Sequence, residues 1–194
     1  MYLKQIAFLT RLALLALVCA PLSTATAQGV IDAKSEHWYV IDMMGQKIGS
    51  QKMAFGYGSF AGKKAYYCLS ESKYSLSRGS VSMELSDSTT SWVNANFRPL
   101  AFKSDRDQAG QKQFFEGNAQ DGSLTVKHGL AGKSQNRVLQ LTPETGLAGC
   151  VSFYLTLTGK LKKGATFDLP VILESWSISP VIFWSNSITM NLEE

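Results

Sequence analysis

Apolar and polar residues alternate in several stretches of the first 140 residues. Every second residue is apolar in 52–57, in 81–86 and in most of 123–130. A period of two residues is typical of a strand with one buried face. Turn sequences separate such stretches about every 10–15 residues, which is the spacing of hairpin-connected strands. Residues 35–141 therefore predict a mainly β protein, with a curved antiparallel meander sheet or an incomplete barrel.

The strongest single turn signal is Asp121-Gly122. This dipeptide tolerates the positive φ angles of a type I′ turn, so it predicts a two-residue hairpin. Other turn sequences fall between the alternating stretches, at Gly45-Gln46, 58–62, Arg78-Gly79, Ala109-Gly110 and Gly132-Lys133.

One short helix is predicted near residues 143–158. Thr142-Pro143-Glu144 supplies an N-cap residue, a proline at the first helical position and an early carboxylate. Apolar residues then follow at helical spacing, and Gly159 would end the helix. Against the helix stand two internal glycines and a β-branched stretch. Alternation resumes at 165–173, which predicts a closing strand.

The N-terminal residues 1–27 have the pattern of a signal peptide. Lys4 and Arg11 form a positive region without acidic residues, 12–18 is a short apolar run, and Ala25-Thr26-Ala27 is a small-x-small cleavage site. The apolar run is too short for the ~20 residues that a bilayer span needs. We expect cleavage after Ala27, export to the periplasm or the extracellular space, and no transmembrane segment afterwards.

Composition is that of a globular chain with one domain. The chain has 194 residues, of which 45% are hydrophobic and 18% charged. Its formal charge is +4, and removing 1–27 with its two basic residues leaves 17 minus 15, or +2. This weak charge argues against nucleic acid as a partner. We expect a single β-rich domain at 28–174, followed by an atypical apolar and serine-rich tail at 175–194.

The cysteines leave two alternatives open. Cys19 lies in the predicted signal, and Val18 before it does not suit a lipoprotein cleavage site. Cys68 and Cys150 remain in the exported chain, where an oxidising compartment would permit a disulfide between them. Two separately buried thiols are the alternative, because free cysteine packs as a small hydrophobic residue.

No catalytic constellation stands out. Nucleophilic catalysis needs a serine or cysteine beside a base, which is commonly histidine, and the chain has only His37 and His128. The best triad that can be assembled is Cys150 with His128 and Asp121. Cys150 lies on a predicted buried helix face and His128 continues the apolar side of a strand, so we expect no enzyme activity.

Metal and cofactor sites are also unsupported. Cys68 and Cys150 are 82 positions apart (150 minus 68), whereas zinc ligands come in closely spaced pairs. Asp105 and Asp107 share a strand face but lack the other oxygens of a calcium loop. The glycines in 56–62 do not fit the dinucleotide spacing, and no helix follows them. We therefore expect no metal and no cofactor.

Aromatic residues are the remaining signal. Many of them lie in the predicted strands. A sheet lined with aromatic side chains could hold an acyl chain or an apolar peptide. Antiparallel sheets also use the same residues to fill their cores, which is the plainer interpretation. The tryptophans are Trp38, Trp92, Trp176 and Trp184.

Three segments resemble a β-rich module of exported bacterial proteins. Residues 38–49 (WYVIDMMGQKIG) resemble its opening hairpin, Phe97-Arg98-Pro99-Leu100 its mid-chain strand entry, and 161–167 (LKKGATF) its closing strand. The module occurs in periplasmic proteins of unknown function and ahead of the catalytic domain in secreted transglutaminase-like proteins. Its architecture is similar to the half-barrel sheets of lipoprotein carriers, and the likeness spans about 36–174.

The resemblance implies a scaffold or binding module rather than an enzyme. The expected function is non-catalytic binding of a lipid, an apolar ligand or an envelope protein in the concavity of the sheet. The alternative is a stand-alone or truncated accessory domain of a transglutaminase-like cysteine hydrolase, without its catalytic domain. The likeness ends near Glu174, so 175–194 would then be the tail of a truncated or frame-shifted relative.

Overall fold

The computed structural model describes residues 29–78, 80–130, 132–160, 166–167, 170–174 and 188–189. The predicted signal peptide at 1–27 and its cleavage site after Ala27 lie outside these residues. So does the predicted tail at 175–194, except for Ile188 and Thr189.

Eight strands form one antiparallel sheet, in which each strand pairs with the next along the chain. They are β1 Gly29–Met43, β2 Gln46–Phe60, β3 Lys63–Arg78, β4 Val81–Asn94, β5 Pro99–Gln108, β6 Gln111–Gln120, β7 Ser123–Leu130 and β8 Lys133–Gln140. Within the described part of the chain β1 and β8 do not pair with each other, so the sheet stays open. The predicted antiparallel meander is confirmed.

The hairpin turns follow the local turn chemistry. Asp121 has φ 50° and Gly122 has φ 74°, so both central residues have the positive φ of a type I′ turn, as predicted. The same sequence of a left-handed residue followed by glycine recurs at Met44-Gly45, Ala61-Gly62 and Ala109-Gly110.

Strand pairing assigns the side chains to two faces of the sheet, because directly opposed residues in antiparallel strands point the same way. We call the side that carries Cys68 and Phe102 face A, and the opposite side, which carries Tyr67 and Trp92, face B. One row on face A crosses six strands through Phe55, Cys68, Ser91, Phe102, Gly117 and Val126.

The main core lies on face A, under residues 146–157, which we call the covering segment. This segment consists of β9 (Gly146–Leu147), a 3-10 turn (Ala148–Cys150) and helix α1 (Val151–Leu157). It packs Leu147 and Cys150 against buried residues of the sheet. Those sheet residues are Cys68, Val93, Phe102, Phe115, Leu124 and Val126.

The predicted helix is confirmed, but its predicted start at Pro143 is wrong. Residues 142–145 form a turn in which the Thr142 amide donates to Oγ1 of buried Thr145 at 3.0 Å. β9 then pairs in parallel with β11 (Val171–Ile172). This tertiary pairing holds the first residues of the expected helix in an extended conformation, so α1 begins only at Val151.

A smaller cluster on face B shows how strongly the sheet curves. It contains Tyr67 and Trp92, whose rings lie 5.2 Å apart. The Trp92 ring also occupies the space where a side chain of Gly29 would lie, at about 2.2 Å from its Cβ position. Gly29 is on β1 and Trp92 is on β4, which would be roughly 14 Å apart in a flat sheet. The start of β1 therefore curls over face B.

The predicted closing strand at 165–173 does not extend the meander. β10 (Thr166–Phe167) pairs instead with β12 (Ile188–Thr189), and β11 pairs with β9. In the described residues, α1 is far shorter than a bilayer is thick, and no helix there has the length and apolar character of a membrane span.

Candidate functional site

The connection from β4 to β5 is a tight turn that holds Phe97 in an unusual conformation. The Asn94 side-chain Oδ1 accepts hydrogen bonds from the amides of Asn96, at 2.8 Å, and Arg98, at 3.1 Å. The Phe97 amide donates to the Asn94 carbonyl at 2.9 Å. Phe97 itself has φ 58°, in the left-handed region.

Phe97 differs from the other non-glycine residues with positive φ in the described chain. The other four are each followed by a glycine with positive φ in a two-residue hairpin. Phe97 is followed by Arg98 and Pro99, and a bulky side chain in the left-handed region costs backbone energy. Such outliers concentrate at ligand clamps and active sites, which draws attention to the surroundings of this ring.

Aromatic contacts hold the Phe97 ring in place. Its centroid lies 4.8 Å from that of Tyr66, in a stacked arrangement, and 4.7 Å from that of Tyr154. Phe153 of α1 lies edge-on at 6.1 Å and also packs on Phe55 of β2. These contacts join β2, β3, α1 and the β4–β5 turn, so they can offset the local strain.

Two adjoining cavities meet at Phe97 and Tyr154, and we call them together the Phe97 cleft. The outer cavity, of about 920 Å³, lies open between the β4–β5 turn, the β6–β7 turn and α1. The inner cavity, of about 140 Å³, lies beneath the covering segment. The apolar residues in the wall of the outer cavity include Pro99, Ala119 and Leu141. Those in the wall of the inner cavity include Leu147, Val151 and Val171.

The charges in the cleft wall have both signs. Arg98 lines both cavities, Asp121 lines the outer one and Glu144 lines the inner one. One cation against two carboxylates gives the walls a net charge of −1. A site with this balance does not select an anionic ligand by charge, so the apolar and aromatic walls are its main recognition feature.

A second group of polar side chains is fully enclosed beneath the covering segment. Glu174 lies only 4% exposed and accepts a hydrogen bond from Ser91 Oγ at 2.8 Å, and others from the Gly149 amide at 3.1 and 3.3 Å. Cys68 and Cys150 lie beside it, each 2% exposed. We call Cys68, Ser91, Cys150 and Glu174 the thiol–carboxyl cluster.

Burial is the main cause of the raised pKa values of Glu174 and Cys150 in this cluster. It raises the pKa of Glu174, although hydrogen bonds from Ser91 and the Gly149 amide partly oppose the rise. Burial also raises the pKa of Cys150 well above its ordinary value, and a hydrogen bond with the Cys68 thiol and the charge of Glu174 add to the increase. Glu174 could not be recognised from the sequence, since no alternation of apolar and polar residues marks it as buried.

The structure does not assemble the triad considered from the sequence. The groups that act on the Cys150 thiol are Cys68 and Glu174, not His128. His128 stacks on Phe115 with centroids 4.4 Å apart, and burial lowers its pKa. Asp121 lies in the turn before β7, whereas His128 lies five residues after Ser123, the first residue of that strand. At the rise of an extended strand, His128 is therefore roughly 17 Å from Ser123.

The remaining candidates have ordinary environments. Asp105 lies 3.5 Å from Lys103 Nζ, and Asp107 accepts the Gly110 amide at 2.7 Å, so both belong to an exposed hairpin. Residues 56–62 form the end of β2 and a turn, and no helix follows them. No group of three or more potential metal ligands occurs in the residues that the structure describes.

The aromatic residues divide between core and surface. Trp92 is buried and Trp38 is 68% exposed, with Lys52 Nζ 5.7 Å from its ring centroid. His37 lies on the exposed strand β1, with its ring 6.4 Å from that of Phe55. Trp176 and Trp184 lie outside the described residues.

Comparisons with protein-family models, with curated proteins and with solved structures found no match to this chain.

Proposed function

We propose that this protein is a non-catalytic binding module of the cell envelope that holds the acyl chain of a lipid in the Phe97 cleft. The observation that carries the proposal is the strained Phe97, which lines both the open outer cavity and the smaller inner one. Because a strained backbone must be stabilised by its surroundings, this placement of an aromatic wall is costly and specific.

The dimensions of the cleft suit an elongated apolar ligand. Its outer cavity lies within the ~300–1,000 Å³ range of ligand sites, and the inner one is close to the roughly 150 Å³ cavity that takes up benzene. The end of an acyl chain would enter between Val151 and Val171, and the polar end would remain beside Arg98 in the outer cavity. Beside the cleft, the covering segment packs Leu147 and Cys150 directly on the buried residues of face A.

Export and the module resemblance support the proposal from the sequence side. Residues 1–27 have the pattern of a signal peptide. Phe97-Arg98-Pro99-Leu100 is one of the three resembling segments, and its first three residues line the cleft. The same resemblance is the support for the alternative, an accessory domain of a transglutaminase-like hydrolase. That alternative predicts a catalytic coding sequence next to this one, which sequencing the neighbouring DNA would reveal.

The proposal is tested by measuring the affinity of a fluorescent fatty acid for the purified exported chain and for Phe97→Asn. Asparagine tolerates the left-handed region, so this variant removes the ring while it keeps the turn. We expect at least about tenfold weaker binding, since losing a buried aromatic contact costs roughly 1.5–3 kcal/mol.

The matched control is Trp38→Asn, which removes an exposed aromatic residue outside the cleft and should leave the affinity unchanged. If the wild-type chain does not bind the probe, or if Phe97→Asn binds it as tightly as wild type does, the proposed function is wrong.

A further inference from the structure

The two cysteines of the domain meet across a long stretch of chain. Cys68 is in β3, and Cys150 ends the 3-10 turn of the covering segment. Both are buried as free thiols in one core cluster, and the Cys68 thiol is one of the groups that raise the pKa of Cys150. The sequence left a disulfide and two separately buried thiols as alternatives for this pair, because it gives no distance between residues 82 positions apart.

Glu174 accepts hydrogen bonds from one neighbour of each cysteine. Ser91, its hydrogen-bond donor, lies directly opposite Cys68 in the β3–β4 pairing. Gly149, the other donor, immediately precedes Cys150. A Cβ at Gly149 would lie 3.1 Å from Glu174 Oε1, so the carboxyl group also sits tightly against this glycine.

We propose that Cys68 and Cys150 are the site of a disulfide that locks the covering segment onto face A, with Glu174 as the positioning residue. The burial of both thiols in one core cluster and the carboxyl bridge from Ser91 to Gly149 carry this inference. It goes beyond the proposed binding function and does not depend on it.

The chemistry is thiol–disulfide exchange with a low-molecular-weight disulfide, RSSR, of the glutathione type. Cys150 lines the inner cavity, so it is the thiol that an exchange partner reaches first. Its thiolate attacks RSSR, forms the mixed disulfide and releases one RS⁻. The Cys68 thiolate then attacks the Cys150 sulfur and releases the second RS⁻. The two thiol protons end on two RSH molecules, and the two electrons reduce RSSR.

Burial controls both directions of this exchange. The raised pKa of Cys150 keeps the thiolate scarce at neutral pH, so oxidation of the folded chain is slow and accelerates as the pH rises. Once formed, the bond is enclosed by the same core residues and is protected from external thiols. The result is a stable cross-link rather than a rapidly cycling one.

The first test equilibrates the full exported chain with glutathione buffers of increasing oxidising strength and measures its intact mass after acid quenching. We expect a form lighter by two hydrogen atoms, and a proteolytic peptide pair joined through Cys68 and Cys150. Cys68→Ser is the matched control and should not form this species. Two free thiols in the most oxidising buffer would overturn the proposal.

The second test addresses Glu174 through the equilibrium constant of the cysteine pair with glutathione. Glu174→Ala removes the bridge and should shift this constant about tenfold toward the reduced form, because misplaced groups lose effective concentration. Glu174→Gln keeps one acceptor oxygen and should lie close to wild type. Exposed Glu84→Ala is the matched control. An unchanged constant in Glu174→Ala would show that Glu174 does not position the pair.

Discussion

Among the residues that the structure describes, no basic side chain is a hydrogen-bond partner of the enclosed carboxyl group of Glu174. Its partners in the described chain are the Ser91 hydroxyl and backbone amides of the 3-10 turn. Hydrogen bonds to a buried carboxylate offset only part of the free energy needed to remove its charge from water. The neutral form is therefore favoured, and the pKa of Glu174 rises. The folded protein therefore binds a proton at Glu174 more tightly than the unfolded chain does.

This proton linkage predicts a pH-dependent contribution to stability. Because the folded-state pKa lies above the ordinary value of 4.5, the contribution is fully present below pH 4.5 and is lost as the pH rises through the folded-state pKa. In Glu174→Gln this loss should disappear, so its unfolding free energy should fall less steeply above pH 4.5 than that of wild type. Urea denaturation across the pH range measures the difference.

The control for this experiment is Glu84→Gln, which replaces an exposed carboxyl group in β4 and should follow the wild-type curve. Parallel curves for wild type and Glu174→Gln would show that Glu174 titrates as it does in the unfolded chain.

At the scale of the elements, glycine and aromatic residues pair across neighbouring strands. Gly117 of β6 lies opposite Phe102 of β5 on face A, and Gly129 of β7 lies opposite Phe114 of β6 on face B. In each pair the ring covers the glycine, where an added Cβ would meet it at about 2.1 Å and 2.0 Å. These pairs let a flat ring pack on the backbone of a twisted strand.

This packing predicts that Gly117→Ala destabilises the protein, although the substitution adds only one methyl group. The methyl group would displace the Phe102 ring, and overpacking of this kind costs about 1–3 kcal/mol. Chemical denaturation should report the loss. Gly146→Ala is the matched control, since its added Cβ would lie 3.9 Å from Val171 Cγ1 and should cost little. Equal stabilities for the two variants would contradict this account.

At the scale of the molecule, an open sheet needs another layer to bury its apolar side. The covering segment supplies this layer, and Leu155 of α1 is fully buried against Val151 and Val171. The helix is too short to be stable alone, so its existence depends on this docking.

Leu155→Ala should therefore cost about 2–5 kcal/mol, as expected for a leucine truncated in a core. Leu157→Ala, two positions away in the same helix, removes a side chain that is 52% exposed and should stay within about 0.5 kcal/mol of wild type. Unfolding free energies from denaturant titrations test both values. A Leu155→Ala chain as stable as Leu157→Ala would mean that α1 contributes little to the core.

Several features were predictable because they depend on residues close in sequence. Alternation at residues 81–86 and 123–130 indicated β4 and β7, and Asp121-Gly122 indicated the hairpin before β7. The helix signal at Thr142-Pro143 failed at its N-terminal end, where pairing between β9 and β11 overrides a local cap. The aromatic residues indicated a ligand groove or a core, and their composition alone could not choose between them.

The sequence by itself determined the strands, the turns and the order of the meander, because a two-residue period and turn chemistry act over a few neighbouring positions. Only the tertiary structure decided that Phe97 stands in a cleft with Tyr154, and that Cys68, Cys150 and Glu174 meet beneath the covering segment. These groupings follow from the twist of the sheet and the docking of α1. Both depend on contacts between distant segments, and no local pattern records such contacts.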